Sequence, residues 1–329
     1  MKTIHAKSPC CRETIYRFGS RRRQCRACGR TWRIRQKKTG RKPKRSSSRL
    51  PEKLFVKYGR VTAWAEARHL AISTASERLN RALARLLKQK KRLPKGPYAL
   101  LGDGLYFKFK RMDWVMYVMA VKPVKSHRAF FLDPVLIEGK ESYERWRTVM
   151  VMISQETKKH IKVFVSDGFR GSKLIAKEHG WIHQRCHFHL LMALIRRHGR
   201  RSYRVKGAGI RERLLGVVRV LLTTTDDMMK RKQMLKAQRL LSYPLCPPWI
   251  RKQTIEFLRT LDDFRAYLIY PSLNLPTTTN AIESTGKLIR KATSTARTPE
   301  SVLLRATAFL RLRKSITCNG KKFSTTLTE

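Results

Sequence analysis

The run Ile161 to Val165 is short, apolar and β-rich, and it ends in Ser166-Asp167-Gly168. Such a run reads as a buried strand that delivers one carboxylate at its C-terminal end, with glycine letting the chain turn sharply. A second stretch has the same form, Tyr98-Ala-Leu-Leu-Gly-Asp103-Gly-Leu-Tyr-Phe. Cys186-His-Phe-His189 follows Asp167 after a short helical segment, Lys173 to Gly180. Either Asp-Gly pair alone reads more simply as a turn, but two of them after apolar strands in a chain this basic are the best clue to its chemistry.

Charge gives those carboxylates weight. The chain of 329 residues holds 74 Lys and Arg against 22 Asp and Glu, a formal net charge of +52. Such a field resists compaction unless a polyanion neutralises it, so nucleic acid is the expected partner. A ribosomal-type RNA binder fits the charge alone. No apolar run is long enough to span a membrane and no signal-peptide core follows Met1, so a cytoplasmic, nucleoid-associated protein is expected.

Seven cysteines, four of them near the N-terminus, suggest metal rather than disulfides. Cys25-Arg-Ala-Cys28-Gly is a knuckle, and its separation from Cys10 and Cys11 suits a tetrahedral Zn²⁺ site. The first knuckle is irregular: Ser8-Pro-Cys10-Cys11 stands where Cys-Pro-x-Cys is expected, so Cys10 or His5 must complete the set. A degenerate ribbon without metal is the other reading. A zinc ribbon over 1–35 and a basic linker over 36–53 are therefore expected.

Residues 54–93 read as two helices, Val61 to Leu70 and Ala75 to Leu87, broken at Ala71-Ile-Ser-Thr. Arg78, Arg81, Arg85 and Lys88 lie off the apolar face of the second. This predicts a helix-turn-helix that binds DNA, with an ordinary basic helical hairpin as the alternative.

From Pro97 the pattern becomes β-rich: Tyr98–Phe109, Trp114–Lys122 and Ala129–Ile137. A helix over Ser142 to Thr157, the Asp167 strand and another helix follow. This β-β-β-α-β-α order fits an α/β ribonuclease-H-like catalytic core over 97–315. Helical runs at Leu190–Arg197, Ile210–Leu222, Met228–Leu241 and Ile250–Tyr267 read as an all-helical insertion over about 190–270. Asn280 is expected to cap a helix carrying Glu283, and Ser301 to Arg313 forms another before a tail over 316–329.

An acid in the groove of a polyanion binder is unfavourable unless a divalent metal inverts the local electrostatics. Two Mg²⁺ ions about 3.5–4 Å apart can serve in-line displacement at phosphorus when carboxylates converge from separate elements. Asp103, Asp167 and Glu283 are the candidates. Asp113, in a hairpin turn, and Asp133, before Pro134, read as structural. Cys186 and His189 lack a second ligand pair, so packing or hydrogen bonding is the simpler reading; a Cys-His nucleophile fits the charge poorly. His183 and His187 lie nearby and can contact phosphate.

Taken together, Val165-Ser-Asp167-Gly…Gln184-Arg-Cys186-His-Phe-His189, Leu275-Pro-Thr-Thr-Thr-Asn280-Ala-Ile-Glu283-Ser and Leu101-Gly-Asp103-Gly resemble the motifs of Mutator-like DDE transposases, including bacterial insertion-sequence enzymes. The long helical stretch before Glu283 and the N-terminal ribbon and helix pair are similar too. The resemblance implies Asp103, Asp167 and Glu283 as ligands of Mg²⁺ (or Mn²⁺), with Cys186, His189 and Asn280 as accessory positions. It implies cleavage at element ends, attack of the freed 3′-hydroxyl on target DNA, and at least a homodimer at synapsis. A non-catalytic regulator derived from a transposase, and a nuclease that cuts without joining, are the competing readings.

Overall fold

The computed structural model describes residues 7–18, 22–33, 61–66, 68–89, 92–196 and 207–318. The chain divides into two compact units, Met1–Leu50 and Pro51–Glu329. The linker expected over 36–53 lies outside the described residues. In the first unit β1 (Ile15–Phe18), β2 (Arg22–Cys25) and β3 (Thr31–Arg33) form an antiparallel sheet in that order.

The second unit opens with α1 (Val61–Glu66) and α2 (Ile72–Leu87). The first is shorter than Val61 to Leu70, because His69 takes a positive φ of 49° and ends the turn. The second starts earlier, at Ile72, with Ala71 in the cap position and no side-chain cap bond. Ala75, Leu79 and Leu83, spaced at a helical repeat of four, bury one face of α2 in the core of this unit.

A mixed sheet follows. β4 (Tyr98–Phe109) and β5 (Met112–Pro123) form a long antiparallel hairpin, closed by Lys110 and Arg111, both at positive φ. The expected third strand is two strands, β6 (Arg128–Phe131) and β7 (Val135–Glu138), each paired with β5. The break falls at Asp133-Pro134, where proline has no N–H to donate to a ladder. The expected helix after it is also two, α3 (Tyr143–Met152) and α4 (Gln155–His160), because the Ser154 hydroxyl accepts from Thr157 N and starts a new helix.

β8 (Ile161–Ser166) pairs parallel with β4, and after α5 (Ser172–Glu178) β9 (Ile182–Arg185) pairs parallel with β8. The insertion holds α6 (His187–Arg196), α7 (Ala208–Thr223), α8 (Asp227–Ser242), α9 (Pro248–Arg259) and α10 (Leu261–Ile269). Apolar spacing runs through the α9–α10 junction, but Thr260 breaks the helix there. Then come α11 (Asn280–Thr293), α12 (Pro299–Arg313) and β10 (Ser315–Thr317), an added edge strand beside β6.

The strand order is β10-β6-β5-β4-β8-β9, with β7 also on β5. Helices cover both faces, so Val115 to Val121 of β5 are all buried. On one face Ala99 and Leu101 pack with residues of α2, α11 and α12; on the other Tyr98 and Leu100 pack with residues of α3 and α5. The insertion has its own core, with Leu194, Leu214, Val218, Leu221, Phe257 and Phe264 among its members. Among the described residues no helix is long and apolar enough to cross a membrane.

Candidate active site

Leu101 of β4 and Val165 of β8 are register partners in the parallel pair. Asp103 and Asp167 each stand two residues beyond them, so pairing brings the two carboxylates to one place. Side chains alternate along a strand, which puts Asp103 on the face of Leu101 and Leu105, the face that α11 covers. Burial, together with the charges of Asp167 and Glu283 and against a lowering by His189, raises the Asp103 carboxyl to about 7. One oxygen of Asp103 accepts from Gly104 N at 2.9 Å, and one of Asp167 accepts from Phe169 N at 3.0 Å.

Glu283 sits in the first turn of α11, where the helix N-terminus favours an acid. Its Oε1 lies 2.6 Å from His189 Nε2. Burial alone would lower the His189 pKa, but the neighbouring Cys186 and Glu283 outweigh it and bring it up to about 11. His189 is therefore an imidazolium in the neutral pH range, and the pair is ionic.

Cys186 ties the two halves of this arrangement together. Its backbone N donates to Ser166 O at 2.8 Å, next to Asp167. Its sulfur accepts from Thr279 N at 3.2 Å and from the Thr279 hydroxyl at 3.3 Å, at the start of the Glu283 helix. The expected cap is corrected here: Thr279 occupies the cap position of α11 with no side-chain cap bond, while Asn280 is the first helical residue and exposed. His183 and His187 are also corrected as phosphate contacts, since both are buried. Burial lowers the His187 pKa to about 4, and the neutral ring bonds Phe264 O at 2.7 Å.

The donor set at Asp103, Asp167 and Glu283 is hard oxygen, a chemistry that would suit Mg²⁺ or Mn²⁺. Among the described residues, however, the one group of ligand atoms mutually within 4.8 Å is made of cysteines. Glu283 is engaged with His189 instead. Asp103 and Asp167 would offer oxygens to a divalent cation, and Glu283 would have to leave His189 to join them.

The sequence profile described as "Transposase, Mutator family" matches residues 68–302, most of the chain and all of the residues just described. The chain belongs to the Mutator family of transposases. A search of curated proteins finds no match. Among solved structures the chain is similar to a simian T-cell lymphotropic virus intasome, seen by cryo-EM in complex with the PP2A regulatory subunit B56 gamma. The identity is 12%, the match covers 60% of this chain and 76% of that one, and the TM-score of 0.21 is too low to support any argument.

DNA is the partner that membership of the Mutator family implies. Arg78, Arg81 and Arg85 stand exposed on α2 and Lys88 exposed at its C-cap, with Arg81 2.8 Å from Glu77. The opposite side of α2 is fixed to α12: the buried Arg305 donates to Asn80 Oδ1 at 3.0 Å, Ser76 Oγ at 2.6 Å and Thr295 Oγ1 at 2.7 Å. Asp133, read as structural, pairs with Arg311, whose other nitrogen donates to the carbonyls of Leu87 and Gln89 at the end of α2. Asp113 lies 3.8 Å from Lys108 across the β4–β5 hairpin.

In the N-terminal unit of this Mutator-family chain the four thiols of Cys10, Cys11, Cys25 and Cys28 all lie within 4.8 Å of one another. A tetrahedral zinc–thiolate site needs sulfurs about 3.8 Å apart, so the set fits Zn²⁺. Cys10, 3.4 Å from Cys28, takes the fourth corner; His5 lies outside the described residues. Ser8 is a brace rather than a ligand. Its buried hydroxyl accepts from Cys11 N at 3.3 Å and Glu13 N at 3.1 Å, and from the Cys25 thiol at 3.2 Å. The Ser8 hydroxyl and the backbone amide of Cys28 bring the Cys25 pKa down to about 6, whereas the Cys28 thiol, with burial, brings the Cys11 pKa up to about 12. A bound cation would favour all four thiolates.

Sequence reasoning passed over Glu141. It precedes the Ser142 cap of α3 and accepts from Trp146 Nε1 at 2.7 Å and Tyr106 Oη at 3.0 Å. A Cβ on Gly104 would come within 3.1 Å of this carboxylate, so glycine beside Asp103 makes room for it. Burial raises the Glu141 pKa, and the charge of Asp167 adds to it. Scarcity of acids is the one signal that could have drawn attention to Glu141.

Proposed function

We propose that the chain is a DDE transposase that cleaves DNA phosphodiesters at the ends of a mobile element and transfers the freed strand to target DNA. The observation that carries this reading is the juxtaposition of Asp103 and Asp167 past the Leu101–Val165 register pair, with Glu283 electrostatically coupled to Asp103. The order β6-β5-β4-β8-β9, antiparallel for the first three strands and parallel for the last, supports a ribonuclease-H-like core.

Asp103, Asp167 and Glu283 would hold Mg²⁺ or Mn²⁺. When bound, such ions activate the attacking oxygen and stabilise the leaving one at phosphorus. The protein's own groups do the remaining work. The Cys186 sulfur holds the N-terminus of α11, and the Ser166 carbonyl holds Cys186, so Asp167 and Glu283 keep a fixed separation. His189 neutralises Glu283 while the site is without metal, which lowers the cost of three acids in one groove. The ribbon and the exposed basic face of α2 bind the element's terminal repeats, and synapsis of two ends brings two copies together.

Divalent-metal-dependent nicking of DNA carrying the element's ends separates this reading from a regulator. A transposase nicks with Mg²⁺ and stops on chelation; binding with salt sensitivity and no nicking under Mg²⁺ or Mn²⁺ supports the regulator.

A further inference from the structure

We propose that His183 and Arg185 are positioning residues: from β9 they fix the turn that carries Asp167 to α9 and α10, so that docking of the helical insertion sets the place of Asp167. This rests on the reading of Asp167 as a catalytic carboxylate.

β9 lies beside β8, with Phe164 opposite His183 and Ser166 opposite Arg185. His183 Nε2 is 3.2 Å from the Ser166 hydroxyl, and that hydroxyl also accepts from Gly168 N at 3.3 Å. The residues on both sides of Asp167 are thereby joined to one ring. The other ring nitrogen of His183, Nδ1, faces Asp263 Oδ2 of α10 at 3.8 Å. Asp263 pairs in turn with Lys173 at 2.9 Å, on the helix that leaves the Asp167 turn. Ser166, His183 and Asp263 follow the order of a nucleophile, base and acid. Ser166 is fully buried, however, so no substrate reaches it, and position is what this chain of contacts transmits.

Arg185 grips the turn from the other side. Its Nη2 is 3.1 Å from Glu256 Oε1 of α9, its Nη1 donates to Thr260 Oγ1 at 3.0 Å, and its guanidinium lies 4.7 Å from the centre of the Phe264 ring. The same guanidinium packs on Gly168: a Cβ there would lie 2.3 Å from Arg185 Nε, and Gly168 has φ +87°. Two backbone-reaching bonds complete the seam. Gln184 Nε2 donates to Phe264 O at 2.9 Å, and its Oε1 accepts from Tyr267 N at 2.9 Å. The insertion has its own core, and these contacts are where its position is passed to the Asp167 turn.

The test uses the full chain and changes the insertion side, away from Asp167: Glu256→Gln with Thr260→Val. Arg185→Lys is the second variant, keeping the charge and losing the fork. Hydrogen exchange is read at the amides of Asp167 to Ser172, at β4 and at α7, together with the Mg²⁺ concentration that half-saturates DNA nicking. The expected result is exchange about tenfold faster at the Asp167 turn, with β4 and α7 unchanged. Half-saturation rises several-fold while DNA affinity stays the same. Exchange at the turn equal to wild type in both variants overturns the proposal. If the double variant also loses protection in α7, Arg185→Lys decides by the same two outcomes. If the wild type does not nick DNA, the catalytic reading fails, and the exchange experiment still decides whether the insertion holds the turn.

Discussion

His189 holds Glu283: Nε2 of the one lies 2.6 Å from Oε1 of the other, three residues after the Cys186 that anchors the Glu283 helix through Thr279. The Cys-x-x-His spacing thus places its two ends on one side of the first turn of α6, the sulfur towards a backbone and the ring towards a carboxylate.

His189→Ala removes the ring from the pair. The folded pKa of His189 is raised above its unfolded value, so its contribution to stability is complete below about pH 6.5 and is lost as pH rises towards 11. The expected cost is about 1–3 kcal/mol near pH 6, the range for charge-assisted hydrogen bonds, and progressively less at pH 8 and 9. Urea unfolding of both proteins across that pH range checks the trend.

Asp103→Asn acts in the opposite direction on stability and on activity. A carboxyl raised from 3.8 to about 7 favours the protonated fold, so the metal-free wild type loses stability as pH rises through that window. The asparagine variant is free of that loss. It is expected to be more stable than wild type at pH 8, by roughly 1–3 kcal/mol in urea unfolding, and to match it near pH 4, while showing no nicking.

Mg²⁺ or Mn²⁺ competes with protons for the same oxygens. Added metal is expected to raise the melting temperature more at pH 8 than at pH 6, and to leave Asp103→Asn close to unchanged. Differential scanning fluorimetry at the two pH values measures this.

The cysteine cluster predicts one zinc per chain, measured by elemental analysis, and close to none in Cys28→Ser. Ser8→Ala keeps the four thiols and removes the brace. It is expected to retain zinc and to lose it to a chelator faster, because a site that is not preformed binds less tightly.

Arg78, Arg81, Arg85 and Lys88 are exposed on one helix and its C-cap, so replacing all four by glutamine is expected to lower DNA affinity across sequences. If each meets one phosphate, the slope of log affinity against log salt falls by up to about 4. The buried Arg305 joins the other side of that helix to α12, so the fold is expected to be retained, as circular dichroism would report.

Much of this arrangement was legible in the chain. The strands that carry Asp103 and Asp167 are legible as apolar runs ending in Asp-Gly, though either pair alone reads as a simple turn, and the helical insertion is legible because its apolar spacing is sustained. Breaks were harder to read. Pro134 divides an apparently continuous strand by lacking one N–H, and Thr260 divides an apparently continuous helix with no change in periodicity. Asn280 looked like the cap because its side chain is suited to it, yet the helix starts one residue earlier and Thr279 spends its hydroxyl on Cys186. Glu141 and Arg185 were not distinguished, and His183 was assigned to phosphate, since their meaning lies in contacts with Tyr106, Glu256 and Asp263, which local pattern does not reach.

Strand transfer by the purified protein, on labelled DNA carrying the element's own ends with Mg²⁺, compares wild type with Asp167→Ala most directly. Wild type is expected to join the ends to target DNA, and the variant to bind the ends without cutting or joining. Equal binding by both, with no cleavage or joining by either under Mg²⁺ or Mn²⁺, would contradict the assignment of Asp103, Asp167 and Glu283 as a catalytic set.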